Sequence, residues 1–278
     1  MSCIYKIREG ASSYTDTEKK LADYILNHID EVPLNSSQTL GERVGVSAAA
    51  VIRFSKKLGY NGFTDLKVDL AKDRTSEITN YDDMIQEQDS METVLKKAEN
   101  LNTMLQNQAY RLINAASLEK AVDLLLHCDT VYLFGVGGSG IVCMDFMQKL
   151  TRINRRVVYQ SDFHYQLPAA AHMTDRDAAI AVSYSGTTRE VNTAVQLAKE
   201  LGTPVISITQ FKKSPLAKLS DILLYIPSSE RELRLGAIAS RNASLIVTDL
   251  LYLGLAKNDI GLIKEYLIKT KEAIKRLK

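Results

Sequence analysis

The stretch Val131-Tyr132-Leu133-Phe134-Gly135-Val136-Gly137-Gly138-Ser139-Gly140 decides the fold. Four apolar, β-favouring residues run directly into a glycine-rich turn, and helical spacing resumes near Ile141. A short apolar run ended by such a turn reads as a strand buried on both faces. The glycines let backbone N–H groups point at an anion, and the helix that follows adds a favourable dipole. Taken as residues 130–135, this is the first of five similar runs; the others are 156–160, 178–183, 204–209 and 222–226. Helical stretches separate the first four. Such alternation predicts a doubly wound α/β domain, a five-stranded parallel sheet with helices on both faces.

The third run ends in a second loop, Ser183-Tyr184-Ser185-Gly186-Thr187-Thr188, which also opens a helix, near Arg189 and Glu190. In the common strand order 2-1-3-4-5, strands 1 and 3 are neighbours, and the chain leaves their carboxyl ends toward opposite faces. That opens a crevice in which ligands of such sheets bind. Ser139, Ser183, Ser185 and Thr188 would line it, with Gly137, Gly138, Gly186 and Thr187 supplying backbone and hydroxyl groups. Tyr184 either stacks on a ligand or packs over the loop. Hydroxyls and amides with few fixed cations suit a phosphate monoester on a polyhydroxylated body. Residues 135–140 also satisfy G-x-G-x-x-G, and Asp162 lies where a ribose-binding acid would be sought. A dinucleotide site has no need of the second hydroxyl loop, which weighs against that reading. Tight turns with ordinary helix caps are the remaining alternative.

Upstream of residue 77 the pattern is helical throughout. Leu21, Tyr24, Ile25 and Ile29 recur at helical spacing, with Asp16 as the expected cap of a helix starting near Thr17. A short helix over 37–44, a turn at Gly45-Val46, and a second helix capped by Ser47 and running to Leu58 form a helix-turn-helix pattern. A further helix covers 64–74. Leu40 and Val44 supply the first apolar face; Val46, Val51, Ile52 and Leu58 are expected to brace the second helix from behind. Ser47, Ala48, Ala49, Arg53, Lys56 and Lys57 then face outward, and the small residues let the helix start approach a major groove. Ser37 and Gln38, at the start of the first helix, complete the candidate DNA contacts. Residues 43–64 contain Arg43, Arg53, Lys56 and Lys57 and no acid, a patch suited to phosphates. A helical hairpin with a solvated basic face is the alternative.

The expected domains are a helix-turn-helix domain over 1–76, a polar linker over 77–89, and a ligand-binding domain over 90–278. The last begins with a helix over 90–114 and closes with a long helical tail over 236–278. A length of 278 residues fits two domains, and 45% hydrophobic with 24% charged residues is globular composition. The net charge of +2 means that any basic surface is local. Cys3, Cys128 and Cys143 form no CxxC pair, which argues for a reducing compartment and against a zinc ribbon. No apolar run approaches the roughly 18 residues of a membrane span, and Met1–Lys6 has no apolar signal core. A cytoplasmic protein without a membrane partner is expected.

The segment from Val46 to Tyr60, with Gly62-Phe63 after it, resembles the N-terminal domain of the RpiR/MurR family of bacterial transcriptional regulators. Loops 135–140 and 183–188 resemble the phosphosugar-binding motifs of the SIS (sugar isomerase) domain that this family carries C-terminally. The resemblance implies operator DNA as one partner and a sugar-phosphate effector as the other, near genes of sugar or amino-sugar metabolism. It carries ligand contacts onto Ser139, Ser183, Ser185 and Thr188, and implies no cofactor. SIS isomerases place a catalytic glutamate before a late helix; Arg234 aligns there, with Glu230 and Glu232 nearby, so no catalytic residue is assigned. Arg234 and Arg241 are candidates for a ligand carboxylate or phosphate, or else for surface ion pairs. His164 and His172, eight apart on an expected helix, are the remaining candidates for a base, and no histidine pair has metal-ligand spacing. A sugar-phosphate isomerase or lyase with an accessory helical domain is the competing function. Two half-sites on a symmetric operator predict a homodimer or homotetramer, with the 90–114 helix and the 236–278 tail as candidate surfaces.

Overall fold

The computed structural model describes residues 3–9, 14–74, 85–227 and 236–277. The chain divides into two compact units, residues 1–79 and 80–278. Most of the expected linker falls outside the described residues, as do Glu230, Glu232 and Arg234.

The first unit is all helical: α1 (Cys3–Glu9), α2 (Asp16–Asn27), a 3-10 turn over Val32–Leu34, α3 (Ser37–Val44), α4 (Ala48–Lys57) and α5 (Phe63–Arg74). Its core gathers Ile7, Leu21, Ile25, Val32, Leu40, Val51, Phe54, Leu66 and Leu70, all buried. The cap of α2 is Thr15 rather than Asp16. Thr15 accepts from the Glu18 N–H and the Glu18 carboxylate accepts from the Thr15 N–H, a capping box that Asp16, already inside the first turn, cannot form.

Two glycines shape the turn between α3 and α4. Gly45 adopts φ +74°, the left-handed conformation that ends α3. At Gly41 a Cβ would meet the Val46 carbonyl at 2.7 Å and the Ala48 nitrogen at 3.2 Å, so only a glycine lets the turn fold back on the helix. In α4 the buried stripe is Val51, Phe54, Ser55 and Leu58. Ile52, expected to brace this helix, instead points outward at 39% exposed, and Phe54 takes its place against Tyr14, ring centroids 5.2 Å apart. The reason is phase: residues 51, 54, 55 and 58 share one face of a 3.6-residue period, and residue 52 lies about 100° away from 51.

The second unit opens with α6 (Met91–Leu112) and α7 (Ala115–His127). The expected helix thus stops at Leu112, and Asn114 caps a new one by accepting from the Ser117 N–H. Then follow β1 (Val131–Phe134), α8 (Gly138–Arg152), β2 (Val157–Val158), α9 (Phe163–Ala170), β3 (Ala178–Val182), α10 (Arg189–Glu200), β4 (Val205–Gln210), α11 (Pro215–Leu219) and β5 (Ile222–Ile226). The sheet is parallel throughout in the order β2-β1-β3-β4-β5, with Leu133 opposite Ile180 and Ile180 opposite Ile206. Every residue of β3 is buried. One sheet face packs on α7, α8 and α12 through Leu133, Ile180 and Ile206; the other packs on α9, α10 and α11 through Phe134, Ala179, Ala181 and Val205.

The tail is two helices, α12 (Ile238–Asn258) and α13 (Ile260–Lys275), parted at Asp259, which caps α13 through the Leu262 N–H. Leu251 and Leu255 enter the core, whereas Leu253 and Ile260 stay exposed. His164 lies in α9, but His172 falls in the turn beyond it. No helix of the described residues is long and apolar enough to cross a membrane.

Phe54→Ala should destabilise the first unit by about 3–5 kcal/mol, since a fully buried aromatic leaves a large cavity. Limited proteolysis of that variant should show its added cleavage within residues 1–79, the unit that holds Phe54.

Candidate functional site

In the second unit β1 and β3 lie side by side, and their helices depart to opposite faces of the sheet. Beyond their carboxyl ends lies a pocket of about 100 Å³. Gly138 and Ser139 from α8, Tyr184, Ser185 and Thr188 from the β3–α10 loop, and Arg241 from α12 line it. Of the other expected residues, Arg234 lies outside the described residues, and Gly137, Ser183, Gly186 and Thr187 adjoin the lining residues within the two loops. Buried Ser183 shares a hydrogen bond of 3.0 Å with the Thr188 hydroxyl. The Thr187 N–H and hydroxyl both donate to Ser185 Oγ, at 3.2 and 2.9 Å. Gly186 holds φ +65°, and a Cβ there would collide with the Ser214 side chain. Gly137 carries φ +58° at the start of α8.

The electrostatics of the pocket come from helix starts. Eight described α-helices have a side chain capping their first turn: Thr15, Ser36, Ser47, Ser90, Asn114, Asp162, Ser214 and Asp259. Three have a described cap residue whose side chain makes no such bond: α8 at Gly137, α10 at Thr188 and α12 at Ala237. These three are the helices that line the pocket. Their first turns thus receive no side-chain cap, and the positive ends of three dipoles lie beside the pocket. Arg241, in the first turn of α12, adds a cation where the dipole disfavours one, and it donates to Asn242 Oδ1 at 3.4 Å. An anion resolves both features at once. Among the described residues the wall contains no Asp, Glu or His.

Several contributors were not visible in sequence. Ser240 and Ser244 of α12 line the pocket, while Ser244 also donates to the Ser240 carbonyl. Buried Gln166 accepts from the Gly135 N–H at 3.4 Å and donates to the Gly135 and Gln160 carbonyls at 3.1 and 2.7 Å, which pins the first loop. Nothing in a single sequence marks a glutamine 31 residues downstream as that support. The G-x-G-x-x-G pattern has a packing origin: a Cβ at Gly135 would meet Cys143 Sγ at 2.8 Å, and one at Gly140 would meet the Tyr159 hydroxyl at 2.7 Å. Burial pushes the Tyr159 hydroxyl up to about 12. Asp162 spends its carboxylate capping α9 through the His164 N–H.

In the first unit, Ala49, Ile52, Arg53 and Lys56 form the outer stripe of α4, with exposed Ser47 before it and half-buried Ala48 at its first position. Ser47 accepts from the Ala50 N–H. Ser37 and Gln38 sit in the first turn of α3, behind the cap Ser36. The basic patch is smaller than a local count suggests. Arg43 pairs with Glu31 at 2.7 Å, and Lys57 pairs with Glu18 at 2.7 Å. The Lys57 ammonium holds the Glu18 carboxyl below its ordinary value. Among the described residues, Arg53 and Lys56 pair with no acid.

The rpiR-family helix-turn-helix domain matches residues 1–77, and the SIS domain matches residues 124–254. An uncharacterized HTH-type transcriptional regulator of Caldanaerobacter subterraneus subsp. tengcongensis is 37% identical over 268 residues, covering 96% of this chain and 95% of that protein. Among solved structures, the Vibrio vulnificus NanR protein complexed with ManNAc-6P is similar with a TM-score of 0.64 and 27% identity, over 100% of this chain and 99% of that one. The sugar isomerase domain of an RpiR transcription factor from Sphaerobacter thermophilus shares the fold over 64% of this chain and 98% of its own, with a TM-score of 0.57 and 20% identity. Fold and sites define a transcriptional regulator built from a helix-turn-helix and a SIS domain. The chain belongs to the rpiR family of these regulators.

Arg53→Ala and Lys56→Ala should each weaken DNA binding without altering ligand binding. A residue that contacts phosphate lowers affinity similarly on all sequences and reduces the salt slope by about one, read from filter binding across a salt series.

Proposed function

We propose that this chain binds operator DNA through α3 and α4, and that a sugar phosphate in the SIS pocket controls its affinity. The observation that carries the ligand class is the convergence of three helix starts without side-chain caps on a hydroxyl-lined pocket with one cation. The amides and dipoles suit a phosphate. Ser139, Ser185, Ser240 and Thr188 suit the hydroxyls of a sugar, and Arg241 suits a carboxylate, an acyl carbonyl or a phosphate edge. The ManNAc-6P bound by the similar NanR protein supports an amino-sugar or related hexose phosphate, and regulation of the corresponding metabolic genes.

The site senses rather than transforms its ligand. Isomerisation between C1 and C2 needs a positioned base. The described wall offers hydroxyls and one guanidinium, and the sequence alignment puts Arg234 where the isomerases carry their glutamate. The protein works in the cytoplasm, where both DNA and phosphorylated sugars are found.

It acts as a homodimer or homotetramer. No residue of α13 is buried within the chain, and Leu253, Ile260, Leu262, Ile268 and Ile274 are exposed along α12 and α13. Exposed apolar side chains in this number suit an interface between copies of the chain. A single helix-turn-helix also buries too little on DNA for genomic specificity, about 600–1,000 Å².

A thermal-shift screen of hexose and amino-sugar phosphates tests the ligand class. A true effector at 100 times its dissociation constant should add about 2.7 kcal/mol of stability. Ser139→Ala and Ser185→Ala should each weaken its binding by about 1–3 kcal/mol while DNA binding without effector survives. Unchanged affinity in the double variant would refute the pocket. Sedimentation at micromolar concentration should give a dimer or tetramer; a monomer that binds one half-site tightly would refute the assembly.

A further inference from the structure

The outer stripe of α4 is short of hydrogen-bonding groups. Ala48, Ala49 and Ala50 fill its first turn, and Ser47 turns its oxygen back to the Ala50 N–H at 3.2 Å. Beyond them come Ile52, Arg53 and Lys56. The helix therefore offers a groove one forked donor, one point charge and an otherwise apolar surface. No Asn, Gln, Asp or Glu lies on α4 to pair with adenine or cytosine edges.

Ile52 belongs to this stripe, at 39% exposed. The buried stripe on the opposite side is complete without it, with Val51 and Phe54 at 2% and 1% exposed and the Ser55 hydroxyl closed onto the Val51 carbonyl at 2.9 Å. A β-branched side chain in a helix is held near one rotamer, so little entropy is lost when it is covered. It sits roughly 6 Å along the axis from Ala48 at the tip of the helix. Three alanines let the backbone come close enough for a side chain of this length to reach the groove floor. The cations Arg53 and Lys56 lie beside it on the same outer face, which fits a polyanion and not an apolar protein surface.

We propose that Ile52 reads the operator by packing on the 5-methyl group of a thymine in the major groove, once per half-site. The proposal rests on the DNA-binding reading above and adds the base and the chemical contact. Thymine is the only base that shows a methyl in that groove, so an aliphatic side chain there selects it without a hydrogen bond.

The test uses the full-length protein. A duplex is selected from a random library, and each thymine is then replaced in turn by deoxyuridine, which removes only the methyl. Wild type should lose about 3–10-fold in affinity at one thymine per half-site and little elsewhere. Ile52→Ala should bind the selected duplex about 3–10-fold more weakly and show no further loss on deoxyuridine at that position. Ile52→Val should fall between the two. Circular dichroism and sedimentation of Ile52→Ala should match wild type, since the side chain supports neither core nor assembly. A flat deoxyuridine scan overturns the inference, as does an undiminished penalty in Ile52→Ala or a changed oligomeric state in that variant. In those cases selective DNA binding by wild type would leave α4 as the reader by other contacts. Failure of wild type to select any sequence would overturn the DNA-binding reading itself and this inference with it.

Discussion

The parallel pairing of β1 with β3 is the contact on which the second unit depends. Val131 to Phe134 lie in register with Ala178 to Ala181, and the two chains then part to opposite faces of the sheet. That parting holds the strand ends together while it separates the helices that follow. It is also why two loops about 45 residues apart in sequence converge, and why the starts of α8 and α10 aim at one volume. Gly135 and Gly140 tighten the first loop against Cys143 and Tyr159. Gln166 fixes its backbone from below, and Ser214 and Thr209 crowd Gly186 in the second.

The sheet and both loops were legible because their signals are local. A run such as Ala178–Val182 needs only its own residues to look buried, and Gly137 or Ser185 declares a turn by type. Apart from Arg241, the third wall was not legible. Ala237, Ser240 and Ser244 are small residues on a helix about 50 residues further on, and nothing in their neighbourhood marks them as lining. A sequence also hides which caps are made: a threonine such as Thr188 looks like an ordinary cap until its hydroxyl is seen bonded to Ser183 instead. The same distance effect governs charge. Counting residues 43–64 finds four cations and no acid, yet Glu18 lies 39 residues from Lys57 and Glu31 lies 12 from Arg43. Window counts measure composition, while a phosphate would meet the folded surface.

The one misplaced side chain in α4 has a different origin. Val51, Ile52 and Phe54 are all large and apolar, and hydropathy alone ranks none of them. Only the phase of the helix separates them, and Phe54 and Leu58 set that phase with Val51. The apolar residue left over from the buried stripe then lies beside Arg53 and Lys56, on the face that the proposed DNA contact would cover.

The two stripes of α4 share no residue. Val51, Phe54, Ser55 and Leu58 hold the helix in place, and Ala49, Ile52, Arg53 and Lys56 face away from the core. Gly41 and Gly45 set the approach of α3 through backbone geometry alone. Substitution on the outer stripe therefore leaves folding almost untouched. A lineage carrying this scaffold can drift toward new target sites one side chain at a time, with no intermediate that fails to fold. Duplicated copies could diverge in the genes they address while keeping the same architecture.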